Sequence, residues 1–147
     1  MKIIEIQTDK RLYMELLLLD DEQIDMIEKY LERGTMFVLD DNGVKAECVV
    51  MDEGNNVIEI KNIATAPEYQ GKGYGKALID FVAAKYKGKY SILQVGTGDS
   101  PLTVPFYEKS GFARSHSIEN FFIDNYDHPI FEGGVQLTDM IYLQKKI

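Results

Sequence analysis

Apolar and polar positions divide the chain into short periodic runs. Residues 2–6, KIIEI, alternate as a strand does, and TDKRLYMELLLL (8–19) follows as a first helix with Thr8 or Asp9 as its N-cap. In DDEQIDMIEKYLERG (20–34), Ile24, Ile27 and Leu31 recur at helical spacing. Asp20 and Gln23 there have the spacing of a capping box, and Gly34 stands where a helix would stop. MFVLDDNGVKAECVVMDEGNNVIEIKNIAT (36–65) holds three apolar or alternating runs split by DDNG and DEGNN, which predicts consecutive hairpins. A helix over 73–86, a strand at YSILQV (90–95) and a short helix in LTVPFYEKSG (102–111), with Pro105 in its first turn, come next. Strands in GFARSHSIENFFI (111–123) and TDMIYLQK (138–145) complete the series. The order predicts a mixed α/β sheet, neither a βαβ array nor a helical bundle, with one domain spanning 1–147.

One parity break stands out. VIEIKNIAT places Ile58 and Ile60 on one face and Glu59 and Lys61 on the other, and then Ile63 is apolar at the wrong parity. That predicts a bulge near Lys61 or Asn62, which would bend the strand and end its pairing.

Charge narrows the function classes. The 147 residues carry 16 basic and 24 acidic side chains, a formal net charge of −8, which argues against a general nucleic-acid binder. The charge is uneven. Residues 70–89 hold five lysines against Asp80 alone, whereas residues 115–144 hold Glu119, Asp124, Asp127, Glu132 and Asp139 and no Lys or Arg. One half suits an anion and the other a cation. Cys48 is the only cysteine, so no internal disulfide forms, and with two histidines it makes a poor metal-ligand set. No charged, apolar leader opens the chain, and LYMELLLL is broken by Glu15 and stopped by Asp20 and Asp21, which predicts a cytoplasmic protein off the membrane.

The stretch YQGKGYGKALIDFV (69–82) puts Gly71, Gly73 and Gly75 just before a helix. Walker A spacing fails, because Gly71 to Gly75 spans GxxxG and Lys76 is followed by Ala77; dinucleotide GxGxxG spacing fails as well. Gln70, Gly73 and Gly75 instead match [Gln/Arg]-x-x-Gly-x-[Gly/Ala]. A glycine turn of this kind lets backbone N–H groups converge on a pyrophosphate at a helix N-terminus, with Lys72 and Lys76 adding charge. APEYQGKGYGKALI closely resembles the acetyl-CoA loop of the GNAT superfamily of acyl-CoA-dependent N-acetyltransferases, and the element order agrees with that fold throughout.

The resemblance implies a mostly antiparallel twisted sheet of about seven strands flanked by about four helices. It implies acetyl-CoA held by Gln70, Gly71, Lys72, Gly73, Tyr74, Gly75 and Lys76, with Ile63, Ala64 and Thr65 pairing with pantetheine as an added strand would. Glu59, 11 residues before Gln70, has the spacing of a general base found in several members; its other reading is a solvated glutamate opposite a lysine. FYEKSGF (106–112) is similar to the second GNAT signature, with Tyr107 at the tyrosine that can protonate the departing thiolate. Ser100 stands where the family usually has Asn, and Asp99 beside it is a possible substitute. Gly96 and Gly98 allow either a close approach to ligand or a positive φ. Cys48 reads as core, and His116 and His128 as surface residues. ENFFIDNYDHPIFEGG (119–134) mixes Phe121, Phe122, Tyr126 and Phe131 with carboxylates and suits a cationic amine; its other reading is an aromatic sheet edge. No metal is implied, and the family allows a homodimer through late strands. The chain end resembles bacterial members labelled indole-3-acetic acid acetyltransferases, although that acid has no primary amine. Two functions follow: an enzyme transferring acetyl to a primary amine, or a non-catalytic acyl-CoA-binding sensor. Glu59 and Tyr107 favour the enzyme.

Overall fold

The alternating runs pair where their patterns predict. In the computed structural model, which describes residues 1–147, the strands are β1 (Lys2–Ile6), β2 (Thr35–Asp40), β3 (Val44–Gly54), β4 (Val57–Thr65), β5 (Ile92–Gly98), β6 (Ala113–Ile118), β7 (Phe131–Glu132), β8 (Val135–Gln136) and β9 (Met140–Lys146). Strands β7 and β8 pair with each other; the other seven form one sheet in the order β1-β2-β3-β4-β5-β9-β6. Every neighbouring pair in it is antiparallel except β4 and β5. Five α-helices, rather than about four, accompany it: α1 (Met14–Asp20), α2 (Ile24–Glu28), α3 (Tyr74–Tyr86), α4 (Val104–Lys109) and α5 (Phe121–Asn125). None is long and apolar enough to cross a membrane.

Two cores hold the sheet. On one face Leu78, Ile79 and Val82 of α3, with Val104 and Tyr107 of α4, pack on Phe37, Cys48, Ile60, Leu93 and Leu143. On the other, Leu17, Ile27, Tyr30 and Leu31 pack on Met36, Val38 and Val49. Each fully buried Leu or Ile contributes about 1.5–3 kcal/mol, so both layers are fixed mainly by apolar burial.

The bulge falls at Lys61. Val49 opposes Asn62 while Val50 opposes Ile60, which leaves Lys61 as the extra residue. Parity then changes, and Asn62 turns under α1, where its Nδ2 donates to the Leu17 carbonyl and the Tyr30 hydroxyl, each at 3.0 Å. The parallel pairing of β4 with β5 ends at Ile60–Val95, so the two strands separate beyond the bulge.

Three local expectations fail for tertiary reasons. Helix α2 stops at Glu28 instead of reaching Gly34, because the buried Lys10 ammonium donates to the carbonyls of Leu31 (3.1 Å), Glu32 (3.2 Å) and Gly34 (2.7 Å) and stabilises an irregular turn there. Neither the Asp20–Gln23 box nor a side-chain cap from Asp9 forms, and Asp9 has a φ of 58°. Residues 121–125, read as strand, are α5; Asn120 at φ 57° starts it, and Phe122 packs with Ile130 and Leu137 in a small third core.

Lys10 thus ties the α1–α2 layer together by charge-assisted bonds. Lys10→Met should lower unfolding stability by about 2–4 kcal/mol in denaturant titration, since three carbonyls lose their donor. An unchanged midpoint would show that water satisfies them equally well.

Candidate active site

The glycine loop opens into a cleft of about 560 Å³ between the bulged end of β4, the start of α3 and α4. Of the residues expected to hold the cofactor, all but Lys72 line it. The Lys72 ammonium instead lies over the Tyr69 ring, 5.5 Å from its centre. Lys76 also pairs with Asp80 at 2.7 Å, one helical turn on. Gly73 precedes the helix at φ 86°, a conformation that side chains resist, and a Cβ there would meet nothing within 4 Å. The space above it is open. The first N–H groups of α3 have no helical partner and the helix dipole is positive there, so the cleft's end is suited to a phosphate-type anion. Gln70 closes the loop by donating to the Thr65 carbonyl at 3.2 Å.

Tyr107 lines the same cleft and is 5% exposed, its ring edge-on to Phe106 and Phe112. Burial pushes its hydroxyl pKa well up, with Asp20, Glu132 and Glu47 adding to the rise, so it stays protonated as a proton donor must.

A second cavity of about 170 Å³ adjoins the first, and Leu19, Asp20, Thr103 and Glu132 belong to both walls. Phe122, Tyr126, Ile130 and Phe131 line it with Asp21 and Glu22. The segment carrying these aromatics is pinned to the α1–α2 turn. Tyr126 donates to Asp21 Oδ1 at 2.7 Å, Tyr30 donates to its Oδ2 at 3.3 Å, and His128 meets Glu22 at 2.9 Å. Asp20 accepts from the Ile63 N–H at 3.4 Å, just past the bulge. Its carboxyl pKa rises to about 7, first through the surrounding protein, then through the charge of Asp21, against the Ile63 N–H and with a further push from Glu132. Solvent reaches Asp20 through the open cleft, which limits that rise; a ligand filling the cleft would restore it.

Glu59 lies elsewhere. It is 5% exposed, accepts from Gln94 at 2.6 Å and pairs with Lys61 at 3.0 Å, and it lines a third cavity of about 250 Å³ rather than either of the first two. The lysine opposite it in one sequence reading is present as Lys61, but the carboxylate is buried rather than solvated. Ser100 is also spent locally, since its hydroxyl accepts from Leu102 N at 3.0 Å and its carbonyl from Val104 N at 3.2 Å at the start of α4. Asp99 pairs with Arg114 at 3.0 Å. Gly98 serves packing, because a Cβ there would lie 2.5 Å from Leu137. Cys48 is buried core, its thiol pushed up by burial. His116 stacks on Tyr142, and no group of three or more His, Cys, Asp or Glu is arranged to hold a metal.

A parallel strand pair parted by a bulge, with a glycine-capped helix at the gap, defines an acyl-CoA-type acyltransferase fold. Residues 32–114 match the profile of the Acetyltransferase (GNAT) domain. The chain is 34% identical over 140 residues to the uncharacterized N-acetyltransferase YvbK of Bacillus subtilis (strain 168), covering 93% of this chain and 90% of that protein. It is similar to a GNAT family acetyltransferase from Elizabethkingia anophelis solved with acetyl-CoA bound, at TM-score 0.93 and 35% identity over 99% of this chain and 97% of that one. An IAA acetyltransferase from Bacillus cereus ATCC 14579 superposes at TM-score 0.90 with 33% identity, over 99% and 100% of the two chains. A Bacillus subtilis acetyltransferase solved in complex with CoA gives TM-score 0.89 and 31% identity over 99% and 98%. The chain belongs to the GNAT acetyltransferase family.

Beneath the site lies Glu47 of β3, 0% exposed. Neither of its oxygens makes a hydrogen bond of good geometry, although the Ala64 N–H opposite offsets part of the cost of burial. Burial, and then the charge of Asp20, push its pKa well above the ordinary range, so the folded chain keeps a proton that the unfolded chain releases. Stability from that proton is present at acid pH and is lost as the pH rises. Glu47→Gln should therefore gain stability relative to wild type as the pH rises above the ordinary carboxylate range in denaturant titration. A difference that stays flat with pH would mean that Glu47 ionises in place.

Proposed function

We propose that this chain transfers the acetyl group of acetyl-CoA to a primary amine by direct attack in a ternary complex. The observation that carries the reading is the meeting of two cavities: the cleft with the glycine loop and Tyr107, and the smaller acidic, aromatic one beside it. Relatives solved with acetyl-CoA or CoA support the cosubstrate. The pyrophosphate would sit at the start of α3, and the pantetheine arm along Ile63, Ala64 and Thr65, whose backbone has no β5 partner.

The acceptor would enter beside Phe122 and Tyr126, drawn as an ammonium by Asp21 and Glu132. Once neutral, its nitrogen attacks the thioester carbonyl, the C–N bond forms, and the C–S bond breaks. Tyr107 gives its hydroxyl proton to the departing thiolate and regains one from the nitrogen, which leaves the amide and free CoA. Glu59, already engaged by Lys61 and Gln94, serves this reading better as a buried anchor for the bulge than as a free base.

Calorimetry with acetyl-CoA tests the cofactor half. Gly73→Glu places a carboxylate in the open space above the loop and should weaken binding about 100-fold or more, about 2.8 kcal/mol; undiminished affinity removes the loop assignment. Tyr107→Phe should lower kcat about 100-fold with acetyl-CoA affinity nearly unchanged. An unaltered rate returns Tyr107 to packing.

A further inference from the structure

We propose that Asp20 is the base that takes the proton from the acceptor ammonium. The inference rests on the acetyl-transfer reading above and adds the group that starts it. Four carboxylates, Asp20, Asp21, Glu22 and Glu132, line the smaller cavity, and their partners set them apart from one another and from Glu59. Both oxygens of Asp21 are held by tyrosine hydroxyls, so although burial raises its pKa as well, it has little room to accept. Glu59 is paired and faces a different cavity. Glu132 shares the junction but stands on a two-residue strand of an isolated hairpin. Asp20 alone is fixed by the fold and still open: α1 ends on it, the Ile63 N–H is its one protein donor, and its other oxygen is free toward the cavities.

That backbone contact also fixes its place relative to the cosubstrate. Ile63 begins the segment along which pantetheine would lie, so a carboxylate bonded to Ile63 N sits beside the arm, in the cleft that Tyr107 also lines. Base and acid would then share the cleft that receives the thioester.

The groups that set its titration come from every neighbouring element. Asp21 and Glu132 raise it by their charge, Glu47 keeps its proton, Tyr30, Tyr107 and Tyr126 are neutral, and Lys61 is neutralised by Glu53 and Glu59. Glu22, also on the cavity wall, is paired with His128. The balance keeps Asp20 basic enough near neutral pH to accept a proton. One ammonium proton goes to Asp20 and leaves with solvent after product release; a second passes from the attacking nitrogen through Tyr107 to sulfur. The sum is one amide, one CoA thiol and one released proton.

The test compares Asp20→Asn, Glu59→Gln and Glu132→Gln, each with acetyl-CoA affinity measured by calorimetry and with turnover followed by thiol release against spermidine, tyramine and an alanyl peptide across the pH range. Asn keeps the shape and the acceptor oxygen for Ile63, so the fold should persist, and unchanged acetyl-CoA affinity verifies it. We expect Asp20→Asn to lose about 100-fold or more in kcat together with the rise in rate through neutral pH, while Glu59→Gln and Glu132→Gln retain that rise. Asp20→Glu should recover part of the rate. An Asp20→Asn enzyme with the wild-type rate and profile, or loss of the rise in either other variant instead, overturns the assignment and leaves acetyl transfer standing. Wild type that binds acetyl-CoA and releases no thiol with any of these amines overturns both.

Discussion

The extra residue at Lys61 is the constraint on which the rest depends. Strand β4 must serve an antiparallel partner on one side along its whole length and a parallel partner on the other only as far as Ile60. Without a bulge, β5 would continue the ladder and the backbone of Ile63 to Thr65 would be consumed within the sheet. With it, that backbone faces a cleft, Asn62 turns to lock α1 from below, and the end of α1 delivers Asp20 to the Ile63 N–H. The glycine loop and α4 then close the gap from the other two sides.

Several acidic groups crowd this gap, and the fold tolerates them by giving each a different solution. Glu59 is neutralised by Lys61 and Gln94, and Asp21 is held by two hydroxyls. Glu47 keeps its proton. Burying bare charges together would cost far more than the stability of a domain this size, so the ionisation states are part of the structure. The differences between carboxylates follow from their partners, and those partners come from distant parts of the chain.

That explains what was legible in the sequence. The bulge showed itself as one apolar residue of wrong parity, Ile63, and the loop as Gly71, Gly73 and Gly75 with Gln70, because both are local patterns of φ, parity and spacing. Local reading went astray where tertiary contacts decide. Asp20 and Gln23 had capping spacing, but Asp20 bonds to a strand 43 residues away. Helix α2 looked long because nothing local announces that Lys10 will take the carbonyls of Leu31 and Gly34. Helix α5 and the β7–β8 hairpin are too short to stand alone, and the Phe122–Ile130–Leu137 cluster and the Tyr126–Asp21 bond hold them in place. Glu59 has the family's spacing, yet spacing along a strand says nothing of Gln94 on the next strand.

Acid and base chemistry within one cleft requires two groups whose protons are held with different strength. Burial raises both, and neighbouring negative charge adds to the rise. A phenol that starts near 10 is driven further up and stays protonated, which suits the donor role proposed for Tyr107, whereas a carboxyl that starts near 4 is driven toward neutrality, which suits the acceptor role proposed for Asp20. Glu132 of the acidic segment 119–139 adds its charge at both groups, so in the proposed reaction it would serve more than attraction of a cation.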